Sequence, residues 1–223
     1  MPRSFGLVDY KVKEAEYFLL RIKDAEYDFF GVQFDAVAFT AAARSITFAM
    51  QSSLKGVEKF DEWYELKQAE MKSDPLAKFF NDFRRVSQHI GENAVVGART
   101  DQSGTVFLFG ASPELKVVPE MDVASACEQY YKSVLEIVYE CYLEFATLIN
   151  GQWKFTQEHF SSIGLTIEDA EEELGLPRGW SGVSGLEEQV RWKYLRMEAD
   201  GCQIQQQFEG WLGKRAPHPD DEI

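Results

Sequence analysis

Arg84 and His89, with four residues between them, are the pair in this chain whose types and spacing best suit chemistry on a phosphodiester. An arginine fork can hold two phosphate oxygens at once. A histidine, with an ordinary pKa of about 6.5, can accept or give a proton near neutral pH. Both lie in one helical stretch that runs from Asp74-Pro75 to Gln88-His89. At about 100° per residue, its Leu76, Phe79, Phe80, Phe83, Val86, Ser87 and Ile90 define an inward side centred near Phe83. Arg84 and His89 fall about 110° to either side of that centre. Between them, away from the core, lie Asn81, Arg85, Gln88 and Glu92. This face is rich in donors and carries two adjacent guanidinium groups. The competing reading is a solvated face opposite an apolar stripe, which any bundle helix shows.

The elements that must position this pair are helical. Helix one is expected over roughly 9–30, with Val12, Ala15, Leu19, Ile22 and Phe29 on one face and Gly31 as its interruption. Helix two covers roughly 34–54, with Phe34, Val37, Ala41, Ser45 and Phe48 as the inward stripe and several alanines that allow a close neighbour. Helix three covers roughly 57–72. Helix four opens at Asp74, an N-cap followed by Pro75 at the first helical position, and Gly91 ends it.

Residues 92–104 have a loop composition, and Thr105–Phe109 and Leu115–Val118 read as hairpin strands joined by a turn at Gly110–Glu114. A long helix is expected from Pro119 to Asn150. Thr166 and Asp169 suit the start of a short helix, Gly179–Gly185 reads as a flexible loop, and Ser184 with Glu187 has capping-box spacing for a last helix. The expected organisation is a helical region (1–93), a loop and hairpin (94–118), a C-terminal helical region packed on the first (119–215) and a disordered acidic tail (216–223).

Composition narrows the function classes. No apolar run is long enough to span a bilayer, and the first six residues lack the apolar block of a secretory signal, so a cytoplasmic protein is expected. Cys127 and Cys141 share one helix about 21 Å apart, too far for a disulfide. Neither the cysteines nor His89, His159 and His218 have metal-site spacing, so no metal and no cofactor are predicted. The net charge of −14 is uneven: residues 1–93 carry 13 basic and 15 acidic side chains, residues 94–223 carry 10 and 22. Such a chain makes a poor general polyanion binder, but a small basic cleft fits the nearly neutral first part. The acidic run Glu168–Glu173 reads as a solvated helix face and argues against DNA reading by residues 156–175.

Phe80-Asn81-Asp82-Phe83-Arg84-Arg85-Val86-Ser87-Gln88-His89 is similar to the aromatic-preceded Arg-x-x-x-x-His helix of HEPN domains (higher eukaryotes and prokaryotes nucleotide-binding). Helices one to four, roughly residues 9–93, resemble that family. The resemblance implies a mainly α, up-and-down helical bundle, here with a small β-hairpin and additional C-terminal helices. It also implies a homodimer that brings two such helices to one cleft, with Arg84 and His89 as catalytic pair and RNA as substrate. No metal is needed, and an antitoxin or regulatory protein is the expected partner. Asn81, Arg85 and Gln88 are candidate substrate contacts on the same face, and Arg44 and Asp35 on helix two are further candidates for the cleft. Arg85 departs from the smaller polar residue usual after the motif arginine. Two readings stay open: a metal-independent endoribonuclease of toxin or defence type, and a non-catalytic helical interaction or scaffold protein. A small-nucleotide binder is weaker, because Gly179-x-x-Gly182-x-x-Gly185 lacks the lysine and strand of a phosphate loop.

Overall fold

The structure, a computed structural model, describes residues 5–102 and 104–222; Met1–Ser4 of the N-terminal reading, Ser103 of the expected loop and Ile223 of the tail lie outside them. The chain is mainly helical, with one two-stranded antiparallel sheet among the described residues. It divides into two compact units, one running through Ile137 and the other starting at Val138. That boundary falls inside the long helix, not at the expected limits of 93 and 118. No helix is long and apolar enough to cross a membrane among the described residues.

In the first unit α1 (Gly6–Lys23) and α2 (Phe29–Ser53) form a helical hairpin. Helix one therefore stops seven residues earlier than its pattern suggests, and Gly31 does not interrupt it. Asp28 caps α2 by accepting from the Gly31 amide at 2.9 Å. A Cβ on residue 31 would lie 2.2 Å from that carboxylate, so the glycine makes room for the cap.

The buried row of α2 is Val32, Ala36, Phe39, Ala43, Ile46 and Met50. The expected stripe is wrong: Phe34 and Phe48 are exposed, and Val37, Ala41 and Ser45 are half-buried. Phe34 stands two residues from both Val32 and Ala36, about 200° around the helix. Both rows have helical spacing, so α2 is apolar on two sides, and only packing chooses between them.

Next come α3 (Phe60–Ser73) and α4 (Pro75–His89). Asp74 accepts from the Leu76 amide at 2.8 Å and Pro75 follows it, as the sequence predicts. Leu76, Ala77, Phe79, Phe80, Phe83 and Val86 form the buried side, while Ile90, expected inward, is exposed. Gly91, in the left-handed region at φ +85°, donates to the Val86 carbonyl and closes the helix.

The hairpin consists of β1 (Val95–Asp101) and β2 (Gly104–Phe109), so the expected loop supplies a strand and Leu115–Val118 does not. In β1 only Val95 is buried, so no alternating pattern marks it; backbone pairing, such as Ala98 with Phe107, holds it. Phe109 of β2 meets Phe79 edge-on at 4.8 Å and Phe83 at 6.1 Å. The helix α5 (Val123–Glu144) starts after Asp122, whose carboxylate accepts from the Ser125 amide. Its Tyr130 stacks on Phe80 at 4.5 Å and meets Phe39 edge-on at 6.4 Å. These aromatic contacts fix α4 against α2 and α5.

The second unit holds the end of α5, then α6 (Ala146–Ile149), α7 (Gln157–Ser162), α8 (Ile167–Glu173), α9 (Glu188–Glu198) and α10 (Gln205–Gln207) with a π-turn to Leu212. Phe155, Phe160, Ile167, Ala170, Trp192, Leu195 and Ala199 form its core cluster. Thr166 and Asp169 make the expected capping box, whereas Ser184 and Glu187 do not: Glu187 stands at the N-cap of α9, and its side chain makes no capping bond. The helix expected to run on from there ends at Glu198, with Trp192 and Leu195 buried and Tyr194 and Met197 exposed.

The acidic helix α8 is not simply solvated. Glu171 is fully buried and accepts from the Gly179 and Ser181 amides, the Ser181 hydroxyl and Arg191. The loop expected to be flexible is pinned by that carboxylate. Residues 216–220, expected to be disordered, are tied down too: the Pro217 carbonyl accepts from Trp153 Nε1 and Asp220 pairs with Arg196.

Candidate nucleic-acid interface

The motif residues sit where the helix geometry puts them, on opposite flanks of α4. Arg84 leans towards α2, its guanidinium carbon 5.7 Å from the centre of the Phe48 ring. Arg44, four residues before Phe48 on α2, lies 4.5 Å from the same ring and donates to the Thr47 hydroxyl at 2.7 Å. Two cations thus share one half-exposed aromatic ring, an arrangement that holds both side chains without neutralising either. His89 is the last residue of α4 and is exposed.

Neither Arg84 nor His89 bonds through its side chain to a carboxylate or hydroxyl among the described residues, so both are free to meet a ligand. Within one chain the two do not converge: five helical steps separate them by about 7.5 Å of rise and about 140° of turn.

The other candidates divide. Asn81, Arg85 and Gln88 are exposed on the outer side of α4. Arg85 stands 3.7 Å from Asp82, both half-exposed, a contact too loose to immobilise it. Asp35 does not reach this face. It is buried, and both of its oxygens accept from Arg21 Nε at 3.0 Å, which joins α1 to α2. That carboxylate raises the Arg21 pKa through its hydrogen bond and charge. Along α2, Asp35 is about 13.5 Å of rise from Arg44. Ser45 donates to the Ala41 carbonyl at 2.8 Å, a local backbone bond.

Arg44 and Asn81 also line a cavity of about 310 Å³ with Gln68, Lys72, Lys78 and Tyr130, closed on its apolar side by Met71 and Ala77. Sequence reasoning missed Phe48 as a cation platform and Lys72 and Lys78 as neighbours. The i, i+4 spacing of Arg44 and Phe48 was the available signal for the first. The lysines flank the Ser73-Asp74 junction, and only the fold brings them to Arg44.

The family described as "Bacteriophage lambda protein ea47" has a model that matches residues 17–103, a region within the first unit and less than half of the chain. The match takes in Asp35, Arg44, Phe48, Arg84 and His89. No curated protein matches, and no solved structure does.

Proposed function

We propose that the chain is a metal-independent endoribonuclease of toxin or defence type that acts in the cytoplasm as a two-fold homodimer. The observation that carries this reading is the outer face of α4, where Arg84 and His89 stand without carboxylate partners among the described residues, beside Asn81, Arg85 and Gln88. A second copy of α4 supplies the convergence that one chain lacks.

The ribose 2′-hydroxyl attacks the adjacent phosphorus, forming the O2′–P bond as the P–O5′ bond breaks. One copy of His89 takes the hydroxyl proton and the other gives a proton to the leaving 5′-oxygen. Arg84 holds the phosphoryl oxygens as charge develops on them. The products are a 2′,3′-cyclic phosphate and a 5′-hydroxyl. A match to a bacteriophage protein family suits such a setting, with an antitoxin or regulatory protein as partner.

The test is cleavage of a mixed RNA pool in EDTA by the full chain, His89→Ala and Arg84→Ala, each first sized in solution. Loss of one proton-transfer group lowers the rate by about 10²–10⁴-fold. Cyclic-phosphate ends made by the wild type and lost in both variants support the reading.

Equal or absent cleavage favours the second reading, a non-catalytic interaction protein. Its own observation is the outward row of α2: Phe30, Phe34 and Phe48 are exposed along one side of that helix.

A further inference from the structure

We propose that the cavity between α2, α3, α4 and Tyr130 is a binding site for a small phosphomonoester, held by Arg44, Lys72 and Lys78. This site does not depend on RNA cleavage, and it would operate in either reading above.

Charge is the first argument. The chain has a formal charge of −14, yet every charged side chain lining this cavity is a cation. Lys72 and Lys78 have no ion-pair partner among the described residues, and Arg44 bonds only the neutral Thr47 and the Phe48 ring. Three like charges around one concavity repel each other when it is empty, and they raise its potential for an anion. A dianion relieves that repulsion better than a carboxylate does. Asp74 is close enough to act on Tyr130, but its carboxylate is engaged with the Leu76 amide as the α4 cap; Asp82 and Glu114 line a separate pocket on the other side of Lys78 and do not line this cavity.

The neutral groups point the same way. The Gln68 and Asn81 amides and the Tyr130 hydroxyl make no side-chain hydrogen bond to another described residue. Burial pushes the Tyr130 phenol up to about 12, so it keeps its proton and can donate. Its ring is fixed by the stack on Phe80 and the edge contact with Phe39, so the donor is held in place before a ligand arrives. A phosphomonoester offers three terminal acceptor oxygens to this set of donors.

Size sets the rest of the ligand. A cavity of about 310 Å³ is larger than a phosphate group and falls at the lower end of small-molecule sites. Met71 and Ala77 provide apolar wall for a modest organic body.

The experiment is calorimetric titration of the full chain, in a phosphate-free buffer at constant ionic strength, with inorganic phosphate, ribose 5-phosphate and ribose. Saturable one-to-one binding of both phosphates and none of ribose is expected. Lys72→Ala and Lys78→Ala each weaken it about tenfold, the loss of one charge-assisted hydrogen bond. Tyr130→Phe weakens it severalfold. Lys193→Ala, which removes the same charge from an exposed side chain that does not line the cavity, leaves it within about twofold. Absence of saturable phosphate binding overturns the proposal, as does equal weakening by Lys193→Ala. Cleavage in EDTA plays no part in this readout, so failure here and failure of the ribonuclease reading are separate results.

Discussion

Glu171→Gln tests the claim that an apparently solvated acidic helix is anchored by one buried carboxylate. One oxygen of Glu171 accepts from the Gly179 amide; the other accepts from the Ser181 amide and hydroxyl and from Arg191 at 3.4 Å. The amide keeps one acceptor and turns the other into a donor, which strands a buried N–H at a cost of about 1–3 kcal/mol. Loss of the charge adds to this, but Arg191 keeps Glu168 at 2.9 Å, so no buried cation is left alone. The net expectation is about 3 kcal/mol of lost stability in the second unit. Glu172→Gln is the control: its side chain is 55% exposed and its Arg178 partner also holds Asp169, so less than about 1 kcal/mol is expected. Urea unfolding followed by tryptophan fluorescence measures both, with Trp180 in the pinned loop and Trp192 in the core cluster. Limited proteolysis should show cleavage within residues 177–186 appearing first in Glu171→Gln. If the two variants unfold at the same urea concentration as wild type, the carboxylate is solvated and the reasoning fails.

Asp35→Ala should destabilise the first unit by about 1 kcal/mol in thermal melts, because its Arg21 partner is half-exposed and screened. It should leave any RNA cleavage unchanged, since the carboxylate is committed to α1; a selective loss of cleavage would return Asp35 to the cleft. Acid should loosen the second unit. Backbone and side-chain bonds from Thr166, with Arg178, hold Asp169 down at about 2 from an ordinary 3.8. A lowered folded-state pKa stabilises above the unfolded value and is lost as pH falls, here between about pH 4 and pH 2. Arg178→Ala should flatten the pH dependence of urea unfolding in that window, and an unchanged profile would count against the pairing.

The legible parts of this fold were those governed by local rules. Asp74-Pro75 and Gly91 marked both ends of α4, and the aromatic row through Phe83 marked its buried side, so the face carrying Arg84 and His89 could be drawn before any packing was known. Thr166 and Asp169 marked α8 in the same way. Failures came where two arrangements satisfy the same local rule. On α2 the rows through Val32 and Phe34 both repeat at helical spacing, and the choice between them was made by α1, α4 and Tyr130. On β1 the backbone ladder, with the buried Val95 and its carbonyl bonded to Gln33, holds a mostly exposed strand, which leaves little trace in side-chain pattern. The acidic run in α8 looked solvated because its cations, Arg178 and Arg191, stand outside the run. For the candidate site, a single helix could show the Arg–His face, but not that Lys72, Lys78 and Arg44 would meet around one cavity.

Where the cations are spent matters more for anion binding than the net charge does. In the second unit Lys154, Arg178, Arg191, Arg196 and Arg215 each face a carboxylate. Their charge is cancelled within a few ångströms and projects little field. In the first unit Arg44 and Arg84 face an aromatic ring, and Lys72 and Lys78 face a cavity, with no carboxylate bonded to any of the four among the described residues. Screening at physiological ionic strength fades the field of a charge over about 8 Å, so an anion at α4 responds first to the charges nearest it, these four among them. The formal charge of −14 therefore argues against indiscriminate binding along a polyanion while leaving one local patch attractive. A chain that binds anions only there should reject bulk duplex yet respond to a phosphate small enough to enter the cavity or a single strand laid along α4.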